Sequence, residues 1–285
     1  MEALSLVATL AGVVGALSVA FRIALRTSRW TGKQRLLRLR FREPVDVVMP
    51  KPKGVELDPS QSPYEGVMTN LGNLKSAIEI TSAIDSSRNG KRVCVHIAQA
   101  LDGEADAALD RDLILLGGYQ GNPVVRRFLL RLEEVVGDQV SYWDDDPARN
   151  RIRVGSESVE YDWTTEARGR VPETDYSLLV VWTNPFASSP RRGVLSVGFS
   201  SYGTYAGIRY LLGDFFDNRV KAMRPTLSRA ESNEPGCLRP RISNWRPWPS
   251  FALLVQSEFQ NGYLIDTREI SFLRLPTGSD KPLTK

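Results

Sequence analysis

The sequence predicts an α/β protein: a Rossmann-like, mainly parallel sheet with an inserted antiparallel meander and a C-terminal hairpin, preceded by one transmembrane helix. Three observations predict it. Short, uniformly apolar runs alternate with helical periodicities between residues 65 and 218. Two of those runs end in glycine-rich turns that open helices. The first charge-free stretch, Ala3 to Phe21, is nineteen residues long, and as a helix it would span roughly 28 Å.

That stretch defines the first segment. The only side-chain charge before it is Glu2, and the basic residues all follow, which is the reverse of a secretory signal peptide. Arg22 can snorkel to the interface from the helix end, so the span is placed at residues 1–25. The positive-inside rule then sets the N-terminus outside and the rest of the chain in the cytoplasm, as a single-pass membrane protein. Gly12 and Gly15 lack GxxxG spacing, so homo-oligomerisation through this helix has only a weak signal.

Residues 26–63 form the second segment. The stretch from Arg22 to Arg42 carries eight Arg or Lys and no acid, interleaved with Trp30, Leu36, Leu37, Leu39 and Phe41. It suits an anionic lipid surface, or serves as a stop-transfer flank and linker. With Glu2, residues 1–42 carry +7. The whole chain carries +4, so residues 43–285 carry −3. The basic pI therefore belongs to the N-terminal segment, and a nucleic-acid groove on the body is not expected. Pro44, Pro50, Pro52, Pro59 and Pro63 make residues 43–63 read as an irregular entry segment.

The third segment, 64–285, is the expected cytoplasmic α/β domain. Leu71, Leu74, Ile78 and Ile84 have helical spacing, and Arg92–Ala98 reads as a strand. Asp112–Leu116 is a buried strand, and Asn122-Pro123 opens a helix to Val136. Alternation at 140–143, 151–154 and 158–163 marks the meander. Tyr176–Trp182 and Gly193–Phe199 are further strands, followed by a helix from Thr204 to about Asn218. Residues 224–249 read as a long Pro-, Arg- and Trp-rich loop. Asn261-Gly262 is the turn of a hairpin over 251–258 and 263–272.

Candidate chemistry gathers at the turns. Gly117, Gly118 and Asn122 lie between a strand and a helix; so do Ser200, Ser201, Gly203 and Thr204. Backbone N–H groups at a helix N-terminus favour an anion, and absent side chains let a phosphate approach. Open α/β sheets bind ligands at that edge. The same residues equally serve tight turns and N-caps, and neither loop is GxGxxG or a P-loop, so no cofactor is assigned. Asn184 follows another strand and is expected at the same edge, as a ligand contact or a turn former. Asp110 and Asp112 belong at the opposite edge, solvated. Asp144-Asp145-Asp146 lacks metal-ligand spacing, so no metal is assigned. Ser200 and Ser201 depart from the GxSxG nucleophile elbow, with Tyr202 where its second Gly belongs. A serine hydrolase would have to use His96, the only histidine. The ordinary reading of His96 is a hydrogen-bonded strand residue, and of Cys94 a buried strand thiol.

DLILLGGYQGN (112–122), TNPF (183–186) and GFSSYGTYAG (198–207) together resemble a bacterial, often actinobacterial, family of uncharacterised proteins in which a GGxxxN loop and an NPF…GxxxxGT segment recur. The resemblance covers roughly residues 65–220. It implies a Rossmann-like domain and a nucleotide- or metabolite-sensing role, and names no reaction.

Three functions are therefore expected to compete. One is a membrane-anchored binding or sensing module holding a nucleotide-like or other phosphate-bearing molecule between the two glycine turns. A second is a nucleotide-processing enzyme acting at the N-glycosidic bond, which needs a carboxylate at the same edge; Glu65 and Asp175 are acids the sequence does not place there. A third is a scaffold whose Trp-rich 244–249 loop and hairpin form a protein-partner surface.

Overall fold

The computed structural model describes residues 44–50, 65–85, 93–97, 109–118, 121–146, 149–162, 172–220 and 250–276. Its elements in chain order are β1 (Val45–Met49), α1 (Glu65–Asp85), β2 (Val93–Ile97), β3 (Asp112–Leu116), α2 (Pro123–Val136), β4 (Val140–Asp146), β5 (Arg149–Val154), β6 (Glu157–Asp162), β7 (Thr174–Thr183), β8 (Arg192–Gly198), α3 (Ser201–Tyr210), a π-helical continuation (Leu211–Val220), β9 (Ser250–Gln260) and β10 (Tyr263–Leu275).

Seven strands form one sheet in the order β10-β9-β7-β8-β3-β1-β2, and β4-β5-β6 form a separate three-stranded antiparallel sheet. The large sheet is mixed, which corrects the mainly parallel, Rossmann-like expectation. β2, β1, β3 and β8 are parallel, whereas β8, β7, β9 and β10 pair antiparallel. The physical reason lies in the connections. Thr183 and Arg192 are joined by residues 184–191 alone, too few for the crossover that parallel neighbours need. The strand β1 falls inside the stretch read as linker; its apolar run is bounded by Pro44 and Pro50, and those prolines masked it.

The central strands of the sheet are buried on both faces, and alternation along them sorts their residues between two cores. Val48, Leu113, Leu115, Val180 and Leu195 pack with Phe128 and Leu132 of α2 and with Ile152 and Val154 of the meander. Val45, Val47, Ile114, Leu179, Val181 and Leu253 pack with Ile80 and Ile84 of α1 and with Ile208 and Phe215 beyond the first turns of α3. Helices α1 and α3 approach closely because Gly72 has no side chain: a Cβ there would stand 2.1 Å from the Ser201 carbonyl oxygen.

Among the described residues no helix is long and apolar enough to cross a membrane. The span expected at 1–25 and the basic juxtamembrane segment lie outside the described residues. The single-pass topology, the lipid contact and the cytoplasmic placement derived from them are without structural support, and we withdraw them. The Trp-rich 244–249 loop also lies outside the described residues.

The Gly72 contact yields a direct test. G72A should lower the unfolding free energy by about 2 kcal/mol, the usual cost of overpacking, read by urea denaturation. An unchanged midpoint would mean that α1 and α3 are not in backbone contact.

Candidate functional site

Because β7 runs against β8, its first residues, not its last, share the edge formed by the carboxyl ends of β1, β3 and β8. Asp175 therefore stands beside the first turn of α3, whereas Asn184 is carried to the opposite edge. There Asn184 is buried; its Nδ2 donates to the carbonyls of Leu109 and Arg111 at 2.7 Å each, and its Oδ1 accepts from Phe186 N. It builds the β7–β8 turn and anchors the entry to β3, which corrects its expected place beside the glycine turns. Asp110 and Asp112 are at this far edge too. Asp110 accepts from Ser188 N and Oγ, which hold its carboxyl below the usual range. Asp112 is buried and accepts from Arg192 N, so the solvated reading does not hold for it.

In the Gly117–Asn122 turn, Gly117 and Asn122 pack against the end of β1. Gly117 has φ +82°, and a Cβ there would meet the Pro50 ring at 2.9 Å. Asn122 is fully buried, and its Nδ2 donates to the carbonyls of Val48 (3.2 Å) and Leu116 (3.0 Å). It pins the ends of β1 and β3 together. The Gly118 carbonyl accepts from Asn122 N, closing the turn.

The second turn closes on a buried acid of its own, Asp175. Asp175 is fully buried. Its Oδ2 accepts from Ser200 Oγ (2.5 Å), Gly203 N (2.8 Å) and Ser200 N (3.2 Å), and its Oδ1 from Tyr176 N (2.7 Å). Ser200 is the N-cap of α3, its Oγ accepting from Tyr202 N (3.0 Å) and Gly203 N (3.4 Å). Gly203 must be glycine, since a Cβ would lie 2.6 Å from Asp175 Oδ2. Thr204 Oγ1 accepts from Gly198 N, and the Ser201 carbonyl abuts Gly72. The donors that a phosphate would have used are thus committed to a carboxylate. Burial raises the Asp175 carboxyl to about 7, against the lowering effect of the bonds from Ser200, Tyr176 and Gly203.

The other acid and base candidates are elsewhere. His96 on β2 pairs with the buried Asp46 through Nε2 at 3.0 Å, and β2 lies three strands from β8. It is therefore no base for Ser200. Glu65 begins α1, and nothing of its side chain is described.

An open groove of about 1010 Å³ occupies the same edge, on the antiparallel half of the sheet. Its walls include Lys75 of α1, Tyr202 of α3, Glu173 just before β7, Glu258 and Phe259 of β9, and Tyr263 of β10. Tyr202 and Phe259 meet edge-to-face at 5.7 Å, and the Lys75 ammonium lies 5.8 Å from the Tyr202 ring and 5.6 Å from that of Tyr205. Tyr263 is 75% exposed. Of the expected residues, the structure gathers Ser200, Ser201, Gly203 and Thr204 in the turn around Tyr202, while the groove's lining contains none of them; Gly117, Gly118 and Asn122 stay on the parallel half, three strands from β9 by way of β8 and β7. Lys75, Tyr202, Phe259 and Tyr263 carried no motif. The direction of β7, legible in the short 184–191 connection, was the signal that would have placed Asp175 and Glu173.

Two outcomes follow. N122A should cost about 2 kcal/mol in unfolding free energy, since two buried carbonyls lose their donor; a loss below half that would show the pin to be dispensable. For Asp175, the folded carboxyl keeps its proton up to about pH 7, whereas the unfolded chain releases it near the ordinary aspartate value of 3.8. The folded state then binds more protons across that window. This contribution to stability is complete below the lower value and is lost as pH rises through the upper one. The stability of the wild type relative to D175N should therefore fall between pH 4.5 and pH 7.5 in urea denaturation, and a rise would contradict the assigned direction.

No family model, curated protein or solved structure matches this chain.

Proposed function

We propose that this chain is a small-molecule-binding module whose site is the groove between the first turn of α3 and the β9–β10 hairpin. The ligand class it fits is a molecule with a planar ring bearing hydrogen-bond donors, of nucleoside rather than nucleotide type. The observation that carries the reading is the lining: the exposed ring of Tyr263, beside the largely buried Tyr202 and Phe259, two carboxylates, Glu173 and Glu258, and one ammonium, Lys75.

The volume lies at the upper end of what small-molecule sites span. The exposed Tyr263 ring offers a stacking face, worth about 1–3 kcal/mol per nucleic-acid base where that has been measured. Carboxylates accept from ring N–H and ribose O–H groups. The charge balance argues against the phosphate. Two carboxylates face one ammonium, and the helix N-terminus that would have offset an anion is already bonded to Asp175. The phosphate-bearing part of the sequence expectation therefore loses its physical basis, while the nucleoside-like part keeps one.

Calorimetric titration of the full chain with adenosine, guanosine, cytidine and uridine, with their 5′-monophosphates and with inorganic phosphate, tests the reading. One nucleoside should bind, more tightly than its monophosphate, and Y263A should weaken it about tenfold, the equivalent of about 1.4 kcal/mol. Because Tyr263 is largely exposed, the variant should fold like the wild type. Binding of inorganic phosphate or the monophosphates alone, or of none of these, would overturn it.

A further inference from the structure

We propose that the groove continues into a second compartment that takes the head of an α-amino acid, so that the ligand is a nucleoside carrying an amino acid on a short arm. This rests on the groove being the nucleoside site, and it names what lies beyond the nucleoside.

The two spaces share their walls. A cavity of about 350 Å³ lies between α1, α3 with its π-helical continuation, and β10, and Ile265 lines both it and the groove. Along each wall the order is the same. On α1, Lys75 lines the groove and Glu79, one helical turn on, lines the cavity. On α3, Tyr202 lines the groove and Arg209 the cavity, about 10 Å further along the helix. On β10, Tyr263 lines the groove and Asp266 and Thr267 the cavity, again about 10 Å along the strand. The helices keep step over this distance, because Gly72 abuts the Ser201 carbonyl at one end and Glu79 Oε1 accepts from Arg209 Nη1 at 2.8 Å at the other. One cleft therefore runs from the Tyr263 ring to Arg209, the length of a base and its ribose with a short arm attached.

The far compartment has the chemistry of a zwitterion's complement. Arg209 and Glu79 form an ion pair with no net charge, and a guanidinium has five N–H donors, of which that bond takes one. Arg209 is half-exposed, so a ligand carboxylate can reach the others. Asp214 of the π-helical continuation and Asp266 of β10 add two carboxylates, and Thr267 Oγ1 donates to Asp214 Oδ2 at 3.4 Å, tying those two elements together. Two acids beside a neutral pair favour an ammonium. Carboxylate and ammonium on one carbon satisfy both sets of partners. A phosphate arm would meet the two acids, and a bare amine would leave the guanidinium unused. Gly213 keeps the compartment open, since a Cβ there would meet nothing within 4 Å.

Calorimetric titration of the full chain with two matched series tests this: the 5′-S-homocysteinyl derivatives of adenosine, guanosine, cytidine and uridine, and their 5′-methylthio counterparts, which lack only the amino acid. Each charge pair in a half-exposed compartment contributes modestly, so the homocysteinyl form of the nucleoside that binds should be about tenfold tighter than its methylthio form. In G213L, where a side chain fills the compartment, the two forms should bind alike. If G213L does not fold, R209M serves, and the gap should narrow there as well. Equal affinity of the two forms for the wild type, or a gap unchanged in a folded variant, would overturn the amino-acid compartment and leave the groove reading standing. Binding of neither series would overturn both.

Discussion

The eight residues between Thr183 and Arg192 constrain everything at the candidate site. A connection that short cannot carry the chain back over the sheet, so β7 must run against β8. That reversal exchanges the two ends of β7. Asp175 arrives beside the α3 N-terminus, and Asn184 goes to the far edge. Had β7 been parallel, α3 would have kept an open N-terminus and the sheet an ordinary ligand crevice at its carboxyl edge. The reversal instead supplies a carboxylate, and the crevice moves to the antiparallel half, where β9 and β10 extend past the rim.

The Asp175 cluster then has the logic of an anion site whose anion is built in. A buried charge is costly unless paired or hydrogen-bonded, and here the compensation comes from N–H dipoles and one hydroxyl rather than from a cation. Ser200 and Gly203 are spent on it, Ser200 capping and donating and Gly203 making room, while Thr204 ties back to Gly198. The same residue types would cradle a phosphate. What distinguishes the two cases is a third element, invisible in the local motif, that arrives about twenty-five residues earlier in the chain.

This marks the limit of what the residues disclosed. Strands of uniform apolar character, such as Asp112–Leu116, were legible because burial on both faces leaves no other composition. The Pro123 start of α2 and the Asn261-Gly262 turn were legible because their chemistry is local. Sheet order and direction depend on which runs become neighbours, and composition carries none of that; loop length carries some, and 184–191 was the informative case. β1 was hidden by flanking prolines that normally mark irregular chain. At the site, the glycines and caps were found and their partner was not. The groove lining was out of reach, because Lys75, Tyr202, Phe259 and Tyr263 come from four elements with no shared periodicity.

The two halves of the sheet thus divide their labour. At the carboxyl edge of the parallel half, the ends of β1 and β3 are tied by Asn122, and Pro50 packs against Gly117. The antiparallel half can then afford exposed rings. Tyr263 stands out from the hairpin with little of its surface covered, a cost that the sheet beneath it sustains because β9 is buried through Val255. A side chain left exposed on a rigid strand, opposite one held by a buried carboxylate, has an entropy of ordering small enough to be met by a ligand of modest size.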